Sequence, residues 1–170
     1  GYTFQHTRHA LKAKEIVQSG AIGEVRFVSG QFASMVERYL RGVGNAYPRD
    51  FGYPVTPPED SSYSDPSIAG GGQGHLQVTH PMGMVFWVTE LRATQVFAMM
   101  EGFDLALDLV DAISYRLENG AVGSMAATGS IQPGQPPDQA ITYYGEKGLM
   151  RQNLVSGSLD IHYNDGGAEA

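Results

Sequence analysis

Two runs of alternating side chains, joined by Asn119-Gly120, constrain the fold of this chain more than any other feature. Residues 109–117 alternate large apolar side chains with small or polar ones, as a strand with one buried face does. Asn-Gly is favoured in two-residue turns, because both positions need positive φ angles that match the twist of antiparallel strands. The sequence therefore predicts an antiparallel hairpin that continues into residues 121–130.

Further elements surround this hairpin. The amphipathic pattern of Arg8 to Ser19 predicts a helix, and Gly20 supplies its left-handed end. The proline-rich residues 37–69 predict a long loop without regular structure. Many sequential strands with two or more helices predict an α+β domain, with a mainly antiparallel open sheet and its helices on one face. The other predicted strands are 24–35, 93–100 and 160–163, with a second hairpin turning at 145–148.

Composition excludes several classes of function. The chain has 170 residues, which corresponds to about one domain. Its net charge of -7 and the lack of a basic cluster argue against nucleic-acid binding. No apolar run in the sequence approaches membrane-spanning length, so we expect no membrane association. The absence of cysteine fits a reducing compartment, and we expect a cytoplasmic protein.

A glycine run followed by a polar stripe marks the candidate site. Three glycines at 70–72 let the backbone pass where no side chain fits, and a mostly apolar segment follows. A buried segment rarely carries much hydrogen-bonding capacity without a use for it. In a straight helix four side chains share one stripe at i, i+4, i+7 and i+11, namely Gln73, Gln77, His80 and Met84.

Four stretches occur in the order found in the second domain of a known enzyme family. They are 2–9 (YTFQHTRH) with 16–25 (IVQSGAIGEV), 70–91 with its glycines and His80, 110–123 (VDAISYRLENGAVG) and 141–149 (ITYYGEKGL). In these stretches the chain resembles the Gfo/Idh/MocA oxidoreductases, nicotinamide-dependent enzymes that act mostly on sugars and polyols. The resemblance implies the open sheet of the C-terminal domain of glucose-fructose oxidoreductase-like and glyceraldehyde-3-phosphate dehydrogenase-like enzymes.

The resemblance also implies site residues. The family's histidine at the position of His80 lies near the nicotinamide and the substrate, where it binds the reacting hydroxyl or acts as its general base. We expect NAD or NADP in the full-length enzyme, with the principal lysine in another domain. No cofactor-binding residue is identified in this chain. The side chains expected to contact substrate are Arg8, His9, Gln73, His75 and Gln77.

The glycine fingerprint of a dinucleotide-binding domain is missing. G-x-G-x-x-G lies between a strand and a helix in such domains. In the stretch Gly70 to Gly74, His75 occupies the third glycine position and no strand precedes it. We therefore expect residues 1–170 to be a single substrate-binding and oligomerisation domain, a fragment that lacks the N-terminal dinucleotide-binding domain. Such a fragment is expected to bind no cofactor and to be inactive alone.

Two departures from the family keep other functions open. The family's dehydrogenases commonly carry an aspartate one turn before the histidine, and Leu76 stands there. Proline at position 81 predicts either a kink that frees the Gln77 carbonyl or a helix that starts at Pro81. A non-catalytic sugar-binding or assembly module is therefore an alternative. A His-ligated metal hydrolase is weaker, because HExxH and cysteine are absent, and no metal site is predicted.

Three other groups of residues complete the expectations. Residues 124–128 are small or bland, so we expect their face to meet a second copy in a homo-oligomer. Asp104, Asp108 and Asp111 are interpreted as a solvated approach to a strand. Aromatic side chains of the proline-rich loop either stack on a sugar or fasten the loop to the sheet, and they are Tyr39, Tyr47, Phe51, Tyr53 and Tyr63.

Overall fold

The architecture is an α+β domain, as the sequence predicts. A computed structural model of the protein describes residues 2–44, 46 and 56–169. Its helices are α1 (Arg8–Gln18), α2 (Glu37–Leu40), α3 (Ser61–Ser64), α4 (Pro66–Ala69) and α5 (Thr79–Thr89), with a 3₁₀ turn at Thr3–His6 and a π-helical turn at Gly74–Val78. Its strands are β1 (Val25–Ala33), β2 (Ala93–Glu101), β3 (Val110–Leu117), β4 (Val122–Thr128), β5 (Gln139–Gly145), β6 (Gly148–Asn153), β7 (Leu159–Tyr163) and β8 (Ala168–Glu169).

One open sheet holds all the described strands. Its order is β2-β3-β4-β1-β5-β6-β7-β8, and the neighbours are antiparallel except for β1 and β4, which run parallel. The predicted helix is confirmed as α1, and it ends before Gly20, whose φ is +72°. The helices α1 and α5 pack against each other on one face of the sheet. None of the helices in the described ranges is both long and apolar enough to cross a membrane.

The Asn119-Gly120 hairpin is confirmed and is attached to the sheet. Gly120 has φ +88°, and the Ala121 carbonyl accepts a 2.8 Å hydrogen bond from the Leu117 N–H. The Asn119 side-chain amide donates to the Val25 carbonyl at 2.9 Å. The turn thereby fixes the β3–β4 hairpin against the start of β1. The second predicted hairpin is confirmed as the β5–β6 pair.

The prediction of a structureless segment at 37–69 is wrong in part. The short helices α2, α3 and α4 lie within it. In α4, Pro66 occupies the first turn and the Asp65 carboxylate accepts from the Ser67 N–H at 2.8 Å, an arrangement that starts helices rather than blocking them. Tyr39 and Tyr63 pack together in a small apolar cluster. Tyr47, Phe51 and Tyr53 lie outside the described residues.

The assignment of residues 124–128 to one face is also wrong. Strands alternate their side chains between faces, so Met125 and Ala127 are buried under the helices while Ser124 and Ala126 lie on the open face. The edge strand β2 is exposed along nearly its whole length. Exposed large apolar side chains are therefore concentrated at this edge, at Val96, Phe97, Met99 and Met100.

Candidate functional site

The segment that carries His80 is a helix with a π-helical turn near its start. Residue 73 is helical, the π turn spans Gly74–Val78, and α5 follows directly. A π turn inserts one residue into the helical repeat, so it rotates the side chains before it relative to those after it. The stripe predicted for a straight helix is therefore wrong. Pro81 lies inside α5, so the predicted helix start at this residue is wrong as well.

Glycine is required where this helix begins, because the backbone there lies against the chain just before β3. The Asp108 carboxylate accepts from the Gly72 N–H at 2.9 Å and from the Gly74 N–H at 2.6 Å. The Asp108 carbonyl accepts from the Gln73 N–H at 2.8 Å. A Cβ at position 72 would lie 2.1 Å from the Asp108 carbonyl oxygen. Asp108 thus caps the helix start and is not the solvated strand approach that the sequence predicts.

The glutamines and His75 differ in their surroundings. Gln73 is fully buried, and its Oε1 accepts from the Ser34 hydroxyl at 3.1 Å. Gln77 is half-buried in the π turn and its side chain has no hydrogen bond to another described residue. His75 is exposed. Leu76 packs against the small apolar cluster that includes Val36, so this position carries no group that orients His80.

His80 lies between two aromatic rings. The ring centroids of Tyr2 and Phe4 are 5.8 Å and 6.3 Å from that of His80, and both contacts are edge-on. Burial lowers the pKa of His80, so the imidazole is neutral at pH 7. Its Nδ1 is shielded from solvent and has no hydrogen-bond partner within the described ranges. Its Nε2 keeps some exposure to solvent and also forms no hydrogen bond there, so it has a hydrogen bond still to make.

The chain near its start packs against α5 close to His80. A Cβ at position 83 would lie 3.0 Å from a ring carbon of Tyr2, so glycine allows the ring to approach α5. The Gln5 amide reaches the Gly83 carbonyl at 3.4 Å. No pattern in the sequence predicts Tyr2, Phe4 or Gln5 as site residues. The one available signal was Gly83, because glycine inside a helix is costly unless something must come close.

Arg8 and His9 lie in a different concavity, of about 350 Å³, which includes Lys12 and Gly157. The fully buried Gln152 amide contacts His9 Nδ1 at 3.1 Å. Because an amide nitrogen only donates, Nδ1 accepts, and the imidazole proton lies on Nε2. The structure therefore does not bring Arg8 and His9 together with His80 in one hollow.

Two of the buried groups of the site have no partner. The Gln73 Nε2 and both carboxylate oxygens of Asp111 are shielded from solvent without a hydrogen-bond partner among the residues that the structure describes. Within the same part of the chain, no three His, Cys, Asp or Glu side chains are grouped so that they could hold a metal ion.

Residues 10–151 match the family described as GFO/IDH/MocA C-terminal domain, while no curated protein matches the chain. An inositol dehydrogenase homolog complexed with NAD+ from Azotobacter vinelandii is similar, with a TM-score of 0.78 and 18% identity over 99% of this chain and 41% of that one. An oxidoreductase domain protein from Kribbella flavida has a TM-score of 0.79 and 19% identity, over 99% of this chain and 45% of that one. Levoglucosan dehydrogenase in complex with NADH and levoglucosan has a TM-score of 0.75 and 21% identity, over 99% of this chain and 45% of that one. The chain thus spans less than half of each, and these likenesses establish the fold.

Proposed function

Since the chain belongs to the GFO/IDH/MocA family, we propose that it is the substrate-binding and oligomerisation domain of an NAD(P)-dependent oxidoreductase. The substrate class is a sugar, polyol or related hydroxy compound. The cofactor and the principal lysine would belong to a separate dinucleotide-binding domain of the complete enzyme. The similarity to structures that contain NAD+, or NADH with levoglucosan, supports this assignment.

The observation that carries the proposal is the environment of His80. A neutral imidazole with an unoccupied Nε2 can hydrogen-bond a hydroxyl group, and it can accept the hydroxyl proton when the alcohol is oxidised. In that reaction the substrate hydroxyl would give its proton to the imidazole. A nicotinamide bound by the complete enzyme would take the hydride from the carbinol carbon. Tyr2 and Phe4 would give the apolar C–H surface of a sugar a wall to pack on.

Leu76 favours hydroxyl binding over proton transfer as the role of His80. A carboxylate partner orients an imidazole and raises its basicity, and the described residues give His80 no such partner. We therefore assign His80 the binding of the reacting hydroxyl. Gln77 and His75 are proposed to orient the remaining hydroxyl groups, because both precede α5 and have capacity for further hydrogen bonds.

The test uses the full-length protein that contains this chain, NAD+ or NADP+, and a panel that includes inositol and levoglucosan. His80→Asn is expected to lower kcat/KM by about tenfold if the imidazole only binds the hydroxyl, and by about 10²-fold or more if it also takes the hydroxyl proton. His162→Asn, which changes the one exposed side chain of β7, is the matched control and should leave turnover unchanged. The assignment fails if His80→Asn turns over the preferred polyol as the unaltered protein does.

The same family fold supports a proposal of self-association through the open sheet face. Phe97 and Met99 are 67% and 64% exposed on that face, next to the small side chains of Ala112 and Ala126. A bare apolar edge strand promotes association unless it is covered. Phe97→Lys should shift sedimentation toward the monomer, whereas His162→Lys, at the other end of the sheet, should not. A sedimentation profile that Phe97→Lys leaves unchanged contradicts this interface.

Leu76 also favours a second candidate, a non-catalytic module that binds polyols without turning them over. Calorimetry and turnover measured on the same full-length protein separate the two. Binding of a polyol without reduction of either nicotinamide supports the module, and substrate-dependent reduction supports the enzyme.

A further inference from the structure

Asp108 and Asp111 meet beneath the start of the helix that carries His80. Asp108 uses both carboxylate oxygens to accept the Gly72 and Gly74 N–H groups, at 2.9 Å and 2.6 Å. Asp111, on the inner face of β3, is only 4% exposed. A Cβ built on Gly74 would lie 3.3 Å from Asp108 Oδ2 and 3.7 Å from Asp111 Oδ2. Both carboxylates therefore reach the space under the same glycine.

Among the described residues, no hydrogen bond or ion pair stabilises a negative charge on Asp111. Its neighbours in the sheet are Met100 on β2 and Ala127 on β4. Glu101 directs its carboxylate to the Gly102 and Phe103 N–H groups, and His75 above is exposed. No ion pair between two described residues includes Asp108 or Asp111.

A proton on Asp111 resolves this arrangement. As a carboxylate, Asp111 would bury two oxygens that have no donor within the described part of the chain, which is costly. As a neutral acid it donates one hydrogen bond, and Asp108 is the acceptor at hand. Burial, the charge of Asp108 and the hydrogen bond accepted by Asp108 together raise the pKa of Asp111 to about 7.

We propose that the Asp111 carboxyl group is protonated near neutral pH and donates a hydrogen bond to Asp108, and that this pair positions the start of the helix carrying His80. The inference goes beyond the proposed function and does not need catalysis to be tested. Asp108 then has donors on both sides, from the glycine N–H groups and from the Asp111 acid. Ionisation of Asp111 places a second charge beside Asp108 and removes one of these donors, so it loosens the hold on Gly72 and Gly74.

Gly72 and Gly74 allow the backbone to come close to the Asp108–Asp111 pair. A side chain at position 74 would place its Cβ 2.5 Å from Met100 Cε, and position 72 has no more space. The backbone at residue 72 can therefore approach Asp108 only because it lacks a side chain, whereas a side chain at residue 74 would require the Met100 methyl group to move. His80 follows Gly74 by six residues in the same continuous helix, so the pair fixes the end of the element that holds it.

The test is an NMR titration of the protein, following the Asp111 side-chain carboxyl carbon and the Gly72 and Gly74 amides. We expect Asp111 to titrate within about one pH unit of 7, well above the ordinary value of 3.8, and both amides to move with the same midpoint. Titration of Asp111 near 4, or glycine amides that do not follow it, overturns the proposal.

Two variants separate the donated hydrogen bond from simple packing. Asp111→Asn keeps a donor for Asp108 but cannot ionise, so the Gly72 and Gly74 amides should keep their low-pH shifts across the whole range. Asp111→Leu has a similar size and no donor, so the same amides should be displaced at every pH. If the leucine variant matches the asparagine variant, the shared proton plays no part in positioning the helix.

Discussion

His80 and His9 are both half-buried histidines in the helical layer, and burial lowers the pKa of each. They differ in what their nitrogen atoms contact. His9 Nδ1 accepts from the buried Gln152 amide at 3.1 Å, and the Tyr143 hydroxyl lies 3.5 Å from the same amide's oxygen. His80 has no hydrogen bond to any described residue and lies between the aromatic rings of Tyr2 and Phe4.

The difference teaches that burial alone does not identify a functional histidine. His9 Nδ1 belongs to a hydrogen-bonded polar chain that links α1 to β6, which is how cores accommodate polar groups. His80 keeps its hydrogen-bonding capacity, and a folded protein gains no stability from leaving such groups unpartnered. Unused hydrogen-bonding capacity on a half-buried ring is what a ligand site requires.

The largest expected effect is on turnover in the full-length protein. His80→Asn should lower kcat/KM by at least about tenfold, whereas His9→Asn should change it by less than about threefold, because His9 lies in a different concavity and its Nδ1 is hydrogen-bonded inside the domain. Steady-state kinetics with the preferred polyol checks the pair. Equal losses from the two substitutions would break the comparison and would place Arg8 and His9 in the substrate cleft after all.

The second effect is the pH dependence of stability, to which Asp111 contributes more than the two histidines. A raised pKa of Asp111 means that the folded state binds more protons than the unfolded chain, so stability falls as pH rises from about 4 to about 7. The shift corresponds to at most about 4 kcal/mol. Urea unfolding of Asp111→Asn should lack this fall and should be the more stable protein at pH 8.

The histidines act with the opposite sign. Their lowered pKa values mean that the unfolded chain binds more protons, so the stability they contribute is present above pH 6.5 and is lost as pH falls below it. Asp111→Asn is the background in which this smaller change becomes visible. If the stability of Asp111→Asn still falls as pH rises from 4 to 7, the assignment to Asp111 is contradicted.

The third effect is on stability at constant pH. His9→Leu leaves the Gln152 amide buried without an acceptor and should cost about 1–3 kcal/mol in unfolding free energy. His80→Leu removes an unpartnered buried nitrogen, so we expect a change within about 0.5 kcal/mol, or a small gain. Chemical denaturation of both variants sharpens the comparison, and it fails if His80→Leu is the more destabilised one.

Local patterns predicted much of this fold. The α1 helix and the Asn119-Gly120 hairpin depend on periodicity and turn chemistry within a few residues, and both are confirmed. The open sheet follows from the count and order of strands. The proline-rich segment was misjudged because proline after an aspartate starts a helix as well as ending one.

The site depended on contacts that no local pattern encodes. The π turn has no signature in hydrophobic periodicity, so the sequence predicts that Gln73 to Met84 share one stripe although the turn rotates Gln73 relative to His80. The approach of Tyr2 to Gly83 and of Asp108 to Gly72 joins distant parts of the chain. Asp111 is buried only because a glycine helix start lies over β3, which the sequence of the strand alone cannot show.

The most direct test follows the histidine ring signals by NMR while the polyol that supports turnover is added. Binding beside Tyr2 and Phe4 should shift the His80 ring resonances and leave those of His9 unchanged, because His9 lies in a different concavity. A titration that moves His9 and leaves His80 in place would contradict the account.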